Sequence, residues 1–222
     1  MSECKMQRFL DIIFSLIILL VLCPILIAIM CTLMLTGERR VFYVQQRIGR
    51  GCVEFGLIKF ATMLQDSPNL AGGNITIKDD PRILPFGKFL RKSKFNELPQ
   101  LLNVLRGDMS LIGPRPLTKD NFYMYAESER EIISKVRPGL SGLGSIFFRN
   151  EENLLCGDVP RTEVYKNIIA PNKALLEIWF VKNNNVKIYL LLLFATVYVI
   201  FNGNHDHIRR LVSDIPKLDV GN

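Results

Sequence analysis

The residues best suited to chemistry in this chain are a carboxylate, Glu97, and the cations close to it in the sequence. These cations are Arg91, Lys92, Lys94 and Arg115, the last of which lies between Pro114 and Pro116. Arginine binds phosphate oxygens through paired hydrogen bonds, and proline fixes the neighbouring backbone. A carboxylate among such cations can act as nucleophile or general base, or hold a Mg²⁺ that bridges phosphates. The pattern predicts a site for a phosphorylated ligand, with Glu97 as catalytic group and Mg²⁺ ligand.

Asn96, which precedes this carboxylate, is a favourable residue for the start of a helix. Four leucines between positions 98 and 105 supply an apolar face, and Gly107 ends the pattern, so we expect a helix whose N-cap is Asn96. The free N–H groups at such a helix start favour a phosphate. The spacing alone leaves a second interpretation open, in which Asn96 is only a cap, Glu97 a first-turn acid and the lysines a solvated surface.

A run without charged residues extends from Ile12 to Leu35 and is long enough for a helix to cross the hydrocarbon core of a membrane. Pro24 lies in its middle, where it removes a backbone hydrogen bond, and cations flank both ends of the run. Cations mark the cytoplasmic side of membrane segments. The two observations predict a re-entrant helix that breaks at Cys23 and Pro24 and returns to the side it entered. A kinked helix that spans the bilayer is the alternative.

The composition favours a membrane-associated protein that binds anions. The 222 residues include 28 Lys and Arg against 21 Asp and Glu, a net charge of +7, and 49% of them are hydrophobic. Positive charge beside an apolar segment indicates phosphorylated ligands or acidic lipid headgroups. No nucleic-acid recognition motif accompanies the charge, so nucleic acid is not an expected partner. The five cysteines lack the spacing of a zinc site, and we expect reduced thiols.

The remaining pattern predicts a mainly α fold with a small β element, an α+β domain over 37–222 that follows a membrane segment over 1–36. Short strands are expected at 41–44 and 57–60, joined by a glycine-rich turn. Helices are expected at 87–93, 120–135, 163–182 and 186–201, with a loop over 65–82 and a strand or loop over 141–150. The last apolar run, from Ile188 to Phe201, is short for a membrane span and fits a helix at the membrane surface.

Several sequence features occur in the order found in one known family. They are the apolar run with its central proline, Gln46-Arg47-Ile48-Gly49, Lys59-Phe60-Ala61-Thr62-Met63, Asn96-Glu97-Leu98-Pro99-Gln100-Leu101, Gly107-Asp108-Met109-Ser110 and Gly113-Pro114-Arg115-Pro116. From Arg8 to about Val199 the chain resembles the bacterial sugar transferases, the monotopic polyprenol-phosphate phosphoglycosyl transferases. The resemblance implies a re-entrant membrane helix and an active site at the cytoplasmic face of the bacterial inner membrane.

The resemblance also implies a reaction. A member of the family moves a sugar phosphate from a nucleotide sugar, usually a UDP-sugar, to undecaprenyl phosphate with Mg²⁺, and UMP is released. In the usual Asp-Glu motif the aspartate attacks the donor; its position is Asn96 here, and Glu97 is its acidic partner. Matches to the nucleotide-site motif and to basic positions near the site are Pro114, Arg115, Pro116, Lys59 and Arg137.

This chain departs from the family pattern at several positions. Asn96 replaces the aspartate, Ala61 replaces an arginine, and Tyr189 stands where members usually have an aspartate. An amide is a poor nucleophile, so the usual covalent step cannot run through Asn96. We therefore expect Glu97 to act as nucleophile, or as general base for direct attack by the acceptor. Asn96 would hydrogen-bond the donor phosphate or the metal shell, and phosphate would be bound by Arg91, Arg115 and Arg137.

The predicted function is transfer of a sugar phosphate from a nucleoside-diphosphate sugar to undecaprenyl phosphate, at the start of surface polysaccharide or glycoconjugate assembly. The expected partners are the nucleotide sugar, the polyprenyl phosphate lipid and the inner membrane, and a homodimer is compatible with the sequence. Two alternatives stay open. One is a non-catalytic membrane subunit that binds a lipid phosphate, and the other is a transferase of a different phosphorylated group that uses Glu97.

Overall fold

The computed structural model describes residues 4–67, 80–149, 161–202, 212 and 214–218. Helices dominate these residues, and the strands among them pair into small two-stranded sheets. The predicted fold class, mainly α with a small β element, is therefore confirmed. The main apolar core includes the fully buried side chains of Leu101, Met109, Leu143, Leu176 and Leu192.

A β-hairpin follows the first helix and consists of β1 (Phe42–Ile48) and β2 (Glu54–Phe60). The strands pair antiparallel, with Phe42 opposite Phe60 and Ile48 opposite Glu54. Their turn passes through Gly51, whose φ of 67° is a left-handed conformation that glycine adopts without strain. The strands predicted at 41–44 and 57–60 are confirmed, and both extend further toward the turn.

A second, parallel pair consists of β3 (Ser110–Ile112) and β4 (Gly139–Ser141). A Cβ on Gly113 would lie 2.6 Å from the carbonyl oxygen of Arg137, and a Cβ on Gly139 would collide with the backbone of Gly113. The segments beside the two strands therefore touch backbone to backbone, which requires glycine. This contact fixes the start of the loop that carries Arg115.

Helices supply the rest of the framework. They are α1 (Lys5–Leu35), α2 (Pro85–Lys92), α3 (Gln100–Arg106), α4 (Lys119–Phe122), α5 (Glu127–Ile133), α6 (Leu143–Phe147), α7 (Arg161–Val164), α8 (Ala170–Asn183) and α9 (Val186–Asn202). A 3₁₀ turn at Phe95–Glu97 precedes α3, and a π-helical segment at Tyr165–Ile169 joins α7 to α8. The helices predicted at 87–93, 163–182 and 186–201 are confirmed.

Two predictions for the middle of the chain are wrong. The single helix expected over 120–135 is divided into α4 and α5, because the backbone is extended at Ala126 (ψ 153°). The strand or loop expected over 141–150 is strand only to Ser141, and α6 follows, packed against α8 and α9. So short a helix depends on tertiary packing rather than on propensity, which leaves little signal in its sequence. The loop predicted over 65–82 lies mostly outside the described residues.

The N-terminal part of α1 is held against α3, β3 and α9. Arg8 donates to two carbonyl oxygens near the end of α3, at 2.6 and 2.9 Å. The buried Oδ1 of Asp11 accepts hydrogen bonds from the Ser110 hydroxyl (3.0 Å), the Leu111 N–H (2.8 Å) and the Tyr189 hydroxyl (2.7 Å). Tyr189, one of the departures from the family pattern, therefore joins α9 to α1.

The C-terminal part of α1 packs against a different region of the same domain. Ile29 and Leu33 form a small apolar cluster with Phe60 of β2 and Leu90 of α2. Side chains in the middle of the helix face outward instead, and Leu20 is 78% exposed. Among the described residues, α1 is the one helix long and apolar enough to cross a membrane. Both of its ends thus contact one domain, while the residues from Leu20 to Ile25 are mostly exposed.

The structure shows no interruption of α1 at Cys23 and Pro24. The helix is continuous from Lys5 to Leu35, with Pro24 inside it and both residues exposed. Proline removes one backbone hydrogen bond, and a long helix in a membrane tolerates this loss. Pro24 therefore lies within one continuous helix, and the helix is not divided there into two.

Candidate active site

Glu97 and Asn96 lie on the 3₁₀ turn before α3 rather than at the start of α3. Lys94 has a left-handed backbone (φ 62°), and the turn begins directly after it. The helix α3 starts later, at Gln100, with Pro99 as its N-cap residue. The prediction that Asn96 caps this helix is therefore wrong, because the backbone is already helical when it reaches Asn96.

Asn96 is instead a buried residue in a cavity wall. It is 7% exposed, and its side-chain oxygen has no hydrogen-bond partner. An unpaired buried polar atom costs about 1–3 kcal/mol. Native proteins keep such atoms where a function, a water or a ligand accounts for them. The position of this amide therefore indicates contact with a ligand.

Glu97 forms an ion pair with Arg115, whose Nη2 lies 3.3 Å from the Glu97 Oε1. Burial raises the pKa of this carboxyl, but the charges of Arg115, Lys59 and Lys94 outweigh it and lower the pKa of Glu97 to about 2. Glu97 is therefore ionised at neutral pH. An ionised carboxylate can attack phosphorus, whereas a group with so low a pKa is a weak general base.

The hairpin contributes two further cations, Arg47 from β1 and Lys59 from β2. Burial and the charge of Arg47 lower the pKa of Lys59 to about 7, against the opposing effect of Glu97. Burial and the charge of Arg115 lower the pKa of Arg47 to about 10. Arg47 also donates to the carbonyl oxygen of Pro116 at 3.2 Å, which ties the hairpin to the loop of Arg115. Cations that repel one another in this way are stabilised when an anion binds between them.

Asn103 of α3 fixes the hairpin relative to the turn of Glu97. This fully buried side chain accepts a hydrogen bond from the N–H of Ile58 at 3.0 Å and donates to the carbonyl of Gly56 at 2.8 Å. Its amide nitrogen also lies 3.1 Å from the Asp108 carboxylate. Because Lys59 follows Ile58 directly, the same contacts hold its backbone in place.

These residues line one cavity of about 810 Å³. Arg91 reaches it from the end of α2, where its Nη1 contacts the sulfur of Met63 at 3.6 Å. Ala61, where the family usually has arginine, is also in the wall. Pockets for small molecules measure about 300–1,000 Å³, so a nucleotide-sized ligand fits.

The cavity changes character toward α1 and α9, where its wall is apolar. Its lining there includes Ile18 of α1 and three side chains of α9, Leu193, Val197 and Ile200. The first of these helices is long and apolar enough to cross a membrane, and the second is a shorter apolar helix. One cavity therefore joins a cluster of cations to an apolar wall, which suits a ligand with an anionic head and a hydrocarbon tail.

Glu177 of α8 lies behind Arg115 and belongs to the site although the sequence did not suggest it. Its Oε1 accepts the backbone N–H of Arg115 at 3.2 Å, and its Oε2 is buried without a partner. Burial raises the pKa of Glu177 to about 7, against the Arg115 N–H and the charge of Lys173. Gly144 passes so close that any side chain there would collide with this carboxyl. The glycine thus makes room for the acid that holds the Arg115 backbone.

The structure brings together most of the predicted site residues. Lys59, Arg91, Asn96, Glu97 and Arg115 all line the cavity. Among the lining residues that the structure describes, Pro114, Pro116 and Arg137 do not appear. The two prolines are buried on either side of Arg115, and Arg137 lies before β4, where its carbonyl faces Gly113. Cys23 and Pro24 are on the exposed part of α1.

Two residues of the site were missed. Arg47 belongs to the motif Gln46-Arg47-Ile48-Gly49, and its place two residues before Gly49 was the available signal. Glu177 stands among apolar residues of α8 on the buried side of the helix, with Leu176 and Phe180. An acid inside an apolar helical pattern was the signal in that case.

The residues present do not fit a resident Mg²⁺. This ion prefers octahedral oxygen ligands that include one or two carboxylates. The part of the chain that the structure describes holds no group of three or more potential acidic, histidine or cysteine ligands. Glu97 is the carboxylate beside the cations, and it is already paired with Arg115. Asn96 adds a neutral oxygen in place of a second carboxylate, so the predicted role of Glu97 as a metal ligand lacks support in the geometry.

Comparison with known proteins agrees with this geometry. The family model for bacterial sugar transferases matches residues 2–203. The undecaprenyl-phosphate galactose phosphotransferase of Salmonella typhimurium is 32% identical over 213 residues, which are 90% of this chain and 41% of that protein. The exopolysaccharide production protein ExoY of Sinorhizobium fredii is 33% identical over 159 residues, 65% of this chain and 70% of ExoY.

A third relative is the undecaprenyl-phosphate glucose phosphotransferase of Komagataeibacter xylinus. It is 35% identical over 153 residues, 66% of this chain and 29% of that protein. The chain therefore spans less than half the length of several relatives that it matches. The range matched by the family model, residues 2–203, includes the site described above.

Proposed function

Since the chain belongs to the bacterial sugar transferase family, we propose that it transfers a sugar phosphate from a UDP-sugar to undecaprenyl phosphate. The products are an undecaprenyl-diphosphate sugar and UMP. One observation carries this proposal: a single cavity holds an ionised carboxylate among cations at one end and apolar side chains of α1 and α9 at the other. The names of two relatives, phosphotransferases that act on undecaprenyl phosphate, support the acceptor.

We propose Glu97 as the nucleophile. A carboxylate oxygen of Glu97 forms a bond to the phosphorus that carries the sugar, the bond from this phosphorus to the bridging oxygen breaks, and UMP leaves with the bond electrons. An oxygen of undecaprenyl phosphate then attacks the same phosphorus and releases Glu97. The low pKa of Glu97 favours this role over that of a general base, whose pKa is best near the working pH.

The remaining residues stabilise charge around the transferred phosphate. Arg115 and Arg47 offer guanidinium groups that bind phosphate oxygens in pairs, and Lys59 adds a third positive charge. The amide nitrogen of Asn96 can donate to a phosphate oxygen. Glu177 holds the backbone of Arg115 and thereby positions its side chain.

The test is UMP release by purified protein supplied with undecaprenyl phosphate and a panel of UDP-sugars. Glu97→Gln keeps the size and polarity of the side chain but not its charge, and it should lower turnover by at least about 1,000-fold, as loss of a nucleophile does. Lys119→Met is a matched control, because Lys119 forms only an exposed ion pair with Glu54. Full turnover by Glu97→Gln would rule out the nucleophile.

Asn96 also favours a second candidate, a non-catalytic subunit that binds lipid phosphate and recruits other enzymes. Its neutral side chain stands at the family's usual nucleophile position. The same assay separates the two functions. Binding of the UDP-sugar with no UMP release from any member of the panel would favour the subunit.

We further propose that the chain works at the cytoplasmic face of the bacterial inner membrane. In this arrangement α1 is re-entrant, residues 1–36 form the membrane segment, and 37–222 form the catalytic domain. Support comes from the docking of both ends of α1 on one domain while its apolar middle faces outward. A helix that spans the bilayer would carry one end away from that domain.

A further inference from the structure

We propose that this chain binds the diphosphate of its donor without a divalent cation, and that Arg47, Lys59 and Arg115 take the place of the ion. The identity of the donor, a nucleoside-diphosphate sugar, rests on the proposed function. The cation cluster and its single carboxylate do not depend on it.

The first reason is the shortage of anionic oxygens. Of the described acids that line the cavity, Glu97 lies beside the cations, whereas Glu38 is exposed and accepts a hydrogen bond from the backbone N–H of Gln65. Asn96 stands next to Glu97 with an amide, which has no formal charge to offer an ion. A magnesium ion keeps its waters unless carboxylates or phosphates replace them, and this site supplies one carboxylate.

The second reason is the charge that already surrounds this carboxylate. Arg115 is in contact with Oε1 of Glu97, and Lys59 and Lys94 are close enough to act on it electrostatically. A divalent cation placed at Glu97 would be repelled by all three. It would also have to displace Arg115 to reach the oxygen that Arg115 holds.

The third reason is that the cations can do what the ion would do. A metal ion in phosphoryl transfer neutralises the phosphates and fixes their orientation. Arg47 is held by the carbonyl of Pro116, and Arg115 by Glu177 and by the glycine contact between β3 and β4. Arginine in a fixed position orients phosphate oxygens through its planar group. Arg47, Lys59 and Arg115 together also carry enough positive charge for a sugar diphosphate.

The test measures binding, not turnover, and uses the full chain in detergent with UDP as the probe. UDP supplies the two phosphates without a sugar that the site has to accept. Titration calorimetry in excess EDTA and in millimolar MgCl₂ should give dissociation constants within about 2-fold of each other. Lys59→Met and Arg47→Met should weaken binding equally in both buffers, and thermal unfolding shows whether each variant is folded.

Asn96→Asp provides the matched comparison because it restores a second carboxylate. UDP binding by this variant should be weakened about 10-fold or more in EDTA and recovered by MgCl₂. If MgCl₂ tightens UDP binding by the unmodified chain about 10-fold or more, the inference is overturned and the proposed donor still stands. An Asn96→Asp variant indifferent to MgCl₂ would also overturn it. Absence of UDP binding in both buffers would overturn the proposed donor and the inference together.

Discussion

At the scale of residues, the site is a balance between one ionised carboxylate and several cations that come from separate parts of the chain. Glu97 stays charged although it is largely shielded from water, because Arg115 and Lys59 lie close to it. Asn96 leaves this balance positive, where an aspartate would offset one cation. In the proposed mechanism, Glu97 replaces the usual nucleophile of the family.

Glu177 leads to a prediction about stability and pH. Its folded-state pKa, about 7, lies above the ordinary value of 4.5, so folding favours the protonated acid. The stability linked to this group is present below pH 4.5 and is lost as the pH rises to about 7. Glu177→Gln has no such loss. Its free energy of unfolding should rise relative to that of the unmodified chain by up to about 3 kcal/mol between pH 4.5 and pH 8.

Thermal unfolding at several pH values in detergent checks this prediction. The difference in Tm between Glu177→Gln and the unmodified chain should grow from pH 5 to pH 8. Glu54→Gln is the control, since Glu54 is exposed and forms only a surface ion pair, and its difference in Tm should stay nearly constant. A constant difference for Glu177→Gln as well would show that this carboxyl is ionised throughout.

The residues that sequence could identify are those near one another in the chain. Asn96, Glu97 and Arg91 stand together in the sequence, Arg115 stood out between two prolines nearby, and a family motif added Lys59. Glu177 meets Arg115 across 62 positions, and no local pattern encodes such a contact. The predicted capping role of Asn96 was wrong, because the left-handed backbone at Lys94 starts the helical turn earlier than the leucine pattern indicates.

At the scale of elements, the decisive feature is the joint that binds α1 to β3 and α9 through Asp11. One carboxylate oxygen accepts three buried hydrogen bonds there, from Ser110, Leu111 and Tyr189. β3 continues directly into the loop of Arg115. The joint therefore links the membrane helix to an element that carries part of the site.

Variants of this joint should differ in how much they lower the free energy of unfolding. Asp11→Ala leaves three buried donors without an acceptor and should destabilise the protein by about 3 kcal/mol or more. Tyr189→Phe removes one donor and leaves the other two bonds in place, so it should cost about 1 kcal/mol. Denaturant unfolding in detergent measures both values. Equal effects of the two variants would contradict the description of Asp11 as the centre of the joint.

The elements also show which local signals sufficed. Alternating and glycine-rich patterns indicated β1, β2 and their turn, and leucines at helical spacing indicated α3. In contrast, α6 begins among glycines and is formed where it packs on α8 and α9. The membrane helix was found from its apolar length, but its passage through Pro24 without interruption was not.

At the scale of the whole molecule, α1 and α9 bring an apolar surface to the same cavity that holds the cations. In the proposed function, this arrangement places phosphate chemistry at the boundary between a membrane and water. An acceptor lipid can keep its hydrocarbon tail beside α1 and α9 while its phosphate approaches Glu97. The sequence indicated the cations and the apolar segments separately, and the fold brings them together at one cavity.

The proposed re-entrant path of α1 predicts that both of its ends lie on the cytoplasmic side. One variant keeps Cys4 as its only cysteine, and a second carries Glu38→Cys in a cysteine-free chain. A thiol reagent that cannot cross membranes, applied to spheroplasts, should label neither variant until the membrane is permeabilised. Labelling of one end from outside intact spheroplasts would instead establish a helix that spans the bilayer.

The central claim is that Glu97 forms a covalent bond to the transferred phosphate, and mass spectrometry tests it most directly. The protein is incubated with its UDP-sugar in the absence of undecaprenyl phosphate, quenched and digested. We predict a phosphosugar adduct on the peptide that contains Glu97, its loss on addition of the lipid, and its absence from Glu97→Gln. An adduct on another residue, or turnover with no adduct at any time, would contradict the account.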